Sequence, residues 1–71
     1  MKYKFSYQDP EQVSHVRYYT ALNCSTATEM FKASITHSIK ESVVLTSVCR
    51  LEDSHWEPVD LSTVDFKVKK S

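Results

Sequence analysis

Seventy-one residues are enough for one small domain, which buries only about 60% of the surface its unfolded chain exposes. Nine basic residues balance nine acidic ones for a formal charge of zero, and the isoelectric point is near 6.8. Binding that rests on neutralising phosphates usually goes with a value above about 9. The chain has no glycine, although average usage of about 7% would supply about five. That excludes the Walker A loop, the dinucleotide fingerprint, the hydrolase nucleophile elbow and the kinase glycine-rich loop.

The first element is a strand over Lys2–Gln8, with Tyr3, Phe5 and Tyr7 alternating against Lys2, Lys4 and Ser6. Asp9-Pro10 is a turn signal, because proline presets φ and aspartate bonds its own backbone. A second β-rich run covers residues 13–22, with Val16, Tyr18, Thr20 and Leu22 on one face and His15, Arg17, Tyr19 and Ala21 on the other. Joined by residues 9–12, the two runs form an antiparallel hairpin.

A helix is expected over residues 27–38. Thr26 and Glu29 have capping-box spacing, and Ala27, Met30, Phe31, Ile35 and Ile39 draw one apolar stripe. Residues 42–51 are β-branched with apolar side chains on both faces, which marks a central strand. Residues 52–63 read as irregular, with Trp56, Pro58, Val59 and Leu61 lying across an apolar surface. Val64, Phe66 and Val68 alternate with polar neighbours and allow a short last strand, and residues 69–71 are expected to fray.

The order β-β-α-β(-β) makes an α+β domain, an antiparallel sheet of three or four strands with one helix on one face. Its expected core is Phe5, Val16, Tyr18, Met30, Phe31, Ile35, Leu45, Val48 and Leu51. So small a body usually needs a disulfide, a metal, a partner or a second copy for comfortable stability. Two cysteines are too few for a secreted disulfide framework, and no stretch approaches the roughly 18 apolar residues of a membrane span. The N-terminus alternates where a signal peptide would be continuously apolar, so a cytoplasmic location is expected.

Catalytic and metal chemistry find little support. Cys24, Cys49, His15, His37 and His55 lie about six or more positions apart, whereas structural zinc ligands come in close pairs. Cys24 falls near a helix N-terminus, where a thiol gains thiolate character, and His55 with Asp53 would complete a nucleophilic set. A chain this short has little mass left to wall a substrate pocket. The carboxylates Glu52, Asp53, Glu57 and Asp60 fall in a solvated loop. The expectation is therefore a non-enzymatic chain without cofactor or metal.

Binding is the stronger signal. Tyr18 and Tyr19 point to opposite faces of a strand, so one of them must meet solvent or a partner. Tyr3, Tyr7, Arg17 and Tyr19 are expected to form an aromatic and basic surface, with Trp56 as a further contact, since tyrosine, tryptophan and arginine are enriched at interfaces. This pattern predicts a protein-binding module, a regulator, adaptor or inhibitor that occupies a partner's surface, with a homodimer as one form. The alternative is single-stranded RNA binding, with bases stacked on aromatics and lysines along the backbone. The outline over residues 2–51 is similar to that of many short accessory proteins of bacteria and tailed phages. That likeness is one of pattern and transfers no residues.

Overall fold

The computed structural model describes residues 1–35 and 43–68. Strand β1 (Lys2–Gln8) pairs antiparallel with β2 (Ser14–Thr20), and helix α1 (Cys24–Ser34) follows. Strand β3 (Val44–Glu52) then pairs antiparallel with β1, and β4 (His55–Pro58) pairs antiparallel with β3. The sheet order is β2-β1-β3-β4, with the helix on one face. A 3₁₀ turn at Leu61–Thr63 and a single parallel bridge between Val68 and Leu45 close the described chain.

The first hairpin is built by its loop. Asp9 N donates to Val13 O (3.1 Å) and Gln12 N to Asp9 O (2.9 Å), which leaves three loop residues, Pro10, Glu11 and Gln12. Asp9 Oδ1 accepts from Glu11 N and Val13 N at 2.9 and 3.0 Å. Gln12 takes φ of 65°, the left-handed residue such a loop requires. Asp9 therefore faces Val13, and every odd residue of β1 pairs with an odd residue of β2: Tyr3 with Tyr19, Phe5 with Arg17, Tyr7 with His15.

That parity corrects the expected core. A loop of residues 9–12 would have set Phe5 beside Val16, because one residue of slip turns a whole strand over. With the observed register, Val16 and Tyr18 lie on the opposite face, 49% and 58% exposed. Met30 also stands exposed, and Leu51 is half-buried. The remaining expected members, Phe5, Phe31, Ile35, Leu45 and Val48, are buried, joined by Tyr3, Tyr7, Ala27, Val43 and Val64. Phe31 is the hub. Its ring lies 5.0 Å from Phe5, 5.3 Å from Tyr7, 6.3 Å from Tyr19 and 5.1 Å from Phe66.

Helix α1 starts three residues earlier than its apolar stripe suggests. Asn23 is the N-cap, its Oδ1 accepting from Thr26 N at 2.8 Å, a bond that answers one of the orphan donors of the first turn. Glu29 does not close a capping box. It pairs with Lys32 Nζ, which also reaches Asp65 at 3.0 Å and ties the helix to the last segment. Beyond Ile35 the expected helical run, Ile39 included, lies outside the described residues, as do the three residues expected to fray.

Residues 52–63 are not wholly irregular. Glu52 pairs with His55 across Asp53-Ser54, which have φ of 48° and 67°. Two consecutive left-handed residues make the two-residue hairpin turn whose twist matches the strands. Trp56 and Pro58 are thereby fixed in β4. Residues 64–68, allowed as a strand by their alternation, form only the bridge at Val68, with Leu45 N donating to Lys67 O at 2.9 Å. No helix among the described residues is long and apolar enough to cross a membrane.

Candidate functional site

The helix covers one side of the sheet and leaves the other open. Pairing across the sheet sets Tyr18 beside Lys4, Lys4 beside Cys49, and Cys49 beside Pro58, with Trp56 one step away opposite Leu51. Val16, Ser6 and Ser47 form the next row. Tyr18 and Trp56 start on the two outer strands, yet their ring centroids come within 5.8 Å. Both lean inward over the middle strands, and Lys4 Nζ sits 5.2 Å from the centre of the Trp56 ring. An exposed cation over an indole contributes about 0.5–1 kcal/mol, and an aromatic pair about 0.5–1.5 kcal/mol. The strand residues on this face include Lys2 and Lys4 and no Asp or Glu.

The five residues expected to bind a partner do not share a surface. Tyr3 and Tyr7 are 3% and 6% exposed, and they pack beneath the helix as core. Burial, first of all, raises the Tyr3 phenol above its ordinary pKa, and its OH donates to Met1 Sδ. Tyr19 packs edge-on to Phe5, and its hydroxyl meets Ser34 Oγ at 2.5 Å. Ser34 Oγ donates to Phe31 O, so the phenol is the donor in that contact. Arg17 lies on the helix side, where its Nε donates to Tyr7 OH at 3.0 Å; that bond leads the rise in its pKa. Trp56 alone reaches the open face. Tyr18, expected in the core, joins it there because the three-residue loop turns the even residues of β2 to this face.

A second group gathers at the Asp9 end of the hairpin. Tyr7, Asp9, Pro10, Glu11, His15 and Arg17 line an open hollow of about 460 Å³. The His15 ring stacks on Tyr7 at 5.2 Å and its Nε2 donates to Asp9 Oδ2 at 2.9 Å. That bond, followed by the one from Val13 N, holds the Asp9 carboxyl below its ordinary pKa. Asp9 is bonded to His15 and to the loop backbone, and Arg17 to Tyr7, so these groups serve the hairpin itself.

The imagined nucleophilic set does not assemble. His55 Nε2 contacts Glu57 Oε1 at 2.5 Å and its Nδ1 the Asp53 carbonyl at 3.3 Å. The Cys24 sulfur lies 4.0 Å from Thr28 Oγ1, in a hollow of about 80 Å³ shared with Ser25, Glu29, Thr63 and Asp65. Both cysteines are free thiols, and no group of three or more potential metal ligands occurs among the described residues. Searched against family models, curated proteins and solved structures, the chain matches none of them.

Proposed function

We propose that this chain is a non-enzymatic, cytoplasmic protein-binding module, an adaptor, regulator or inhibitor that covers a partner's surface with its open sheet face. The observation that carries this reading is the Tyr18–Lys4–Trp56 group, two aromatic rings and a cation on a face whose described strand residues include no carboxylate. Such a face complements a partner surface that sets an acidic side chain among apolar ones. Rigid aromatic rings give large contact area at small entropic cost, which suits them as anchors. The same elements also serve single-stranded RNA binding. Two lysines and zero net charge supply little phosphate neutralisation, and this favours a protein partner.

The test compares recovery of partners from lysate by the wild-type chain, Tyr18→Ala and Trp56→Ala, with bound protein and nucleic acid both quantified. The expected result is a protein recovered by the wild type and reduced about tenfold in each variant, the equivalent of about 1.4 kcal/mol. Both variants keep their circular dichroism. A partner retained equally by both removes the face from the reading. Recovered nucleic acid, with affinity falling steeply between about 50 and 200 mM salt, overturns it in favour of RNA or DNA.

A further inference from the structure

Strand β2 is an outer strand of the sheet, and its free edge is well defined. Ala21 N donates to Met1 O at 2.9 Å and Asp9 N to Val13 O at 3.1 Å, so both ends of the hairpin are hydrogen-bonded pairs of odd residues. In an antiparallel ladder such pairs alternate with non-bonded ones. The odd residues of β2 therefore bond to β1, and Ser14, Val16, Tyr18 and Thr20 aim their N–H and C=O groups away from the sheet. Nothing among the described residues pairs with that edge. It has neither proline nor lysine, the usual devices that blunt an edge.

Exposed apolar side chains gather on the same strand. Of the six large ones among the described residues, Val16 and Tyr18 lie within β2, and Val13 and Leu22 flank it. Leu22 is 91% exposed. An antiparallel partner with the same sequence would bring the end of one β2 beside the start of the other, and so place Leu22 against Ser14 and Val13 of the second copy.

We infer that the protein self-associates through β2, two copies pairing antiparallel about a two-fold axis at Tyr18 to make one continuous eight-stranded sheet. Charge selects the register. An axis at Arg17 sets two guanidinium groups directly opposite, which is destabilising. An axis at Val16 sets Arg17 against His15 and leaves Leu22 uncovered. With the axis at Tyr18, the two Tyr18 backbones pair while each ring stays turned inward over its own sheet, Arg17 faces Tyr19 of the other copy, and Val16 faces Thr20. Zero net charge removes long-range repulsion between copies. This contact uses the backbone edge and shares Tyr18 with the proposed open face, which it would double, while Trp56 lies outside it.

The register is tested with single cysteines at positions 16, 17 or 18 in a Cys24→Ser, Cys49→Ser chain under mild oxidation. A residue on the axis meets its own copy at a Cα separation of about 5.5 Å when hydrogen-bonded, within disulfide reach. Tyr18→Cys should give the disulfide-linked dimer, with at least tenfold less from Val16→Cys and Arg17→Cys. Sedimentation of the unmodified wild-type chain should show a dimer that Leu22→Lys, a change at an exposed position, shifts towards monomer. A wild-type monomer at millimolar concentration, or cross-linking strongest at 16 or 17, overturns the inference. Loss of partner binding by Trp56→Ala in a chain that still dimerises separates the two readings.

Discussion

The two edges of the sheet are built on opposite plans. Strand β4 is four residues long and ends in proline, and β3 beyond it is met by Val59, whose N donates to Val48 O, and by the Val68 bridge. Strand β2 is seven residues long, lacks proline, and exposes every residue except Tyr19. Natural sheets shorten and interrupt the edges they keep solvated. One edge is finished and the other is unpaired among the described residues, which is why β2 is the natural place for a second chain to add.

The largest expected effect breaks the β2 side from within. Phe31 touches aromatic rings on β1, β2 and the last segment, while Trp56 of β4 stands on the opposite face. Phe31→Ala should lower stability by about 3–5 kcal/mol in denaturant titration, enough to unfold much of a domain this small. Hydrogen exchange on a partly folded population should show β2 opening before the β3–β4 hairpin.

Next in size are the hairpin loops. Asp9→Ala removes the acceptor for Glu11 N, Val13 N and His15, and should lower the melting midpoint in thermal unfolding. In the other direction, Ser54→Gly and Gln12→Gly relieve left-handed backbone at φ of 67° and 65°. Each should raise stability by about 0.5–1 kcal/mol, read in denaturant titration, with an additive double variant because the loops are separate. A drop in either would show that the side chain there outweighs the backbone relief.

The smallest effect is pH dependence, and it has opposite sign at the two hairpins. Asp9 is held below its ordinary 3.8, chiefly by His15, so its contribution is present above that value and is lost as pH falls through the folded pKa. His55 is raised above 6.5, chiefly by Glu57 and then by the Asp53 carbonyl. Its contribution is complete below 6.5 and is lost as pH rises through the folded pKa. Proton NMR should place the His55 midpoint above 6.5 and return it towards that value in Glu57→Gln.

The first β-β-α-β and the helix were readable because periodicity and β-branching survive without context, while the optional last strand, expected at 64–68, lies at His55–Pro58. What the sequence concealed traces largely to its missing glycines. Asp53-Ser54 and Gln12 adopt conformations that a glycine would have advertised, so the β3–β4 hairpin read as irregular and the first loop seemed one residue too long. That single residue inverted β2, whereas Tyr3 and Tyr7 follow Phe5 into the core through the alternation of β1 alone. Tyr18 and Tyr19, adjacent and alike, gave no compositional hint of which one points outward.

Trp56 is the chain's only tryptophan, and Lys4 rests against its indole on the open side of the sheet. The protein therefore carries its own optical probe at that spot. Any molecule that settles there must displace the ammonium group or shield the ring, and the emission colour and quenching by iodide would report its arrival without a label.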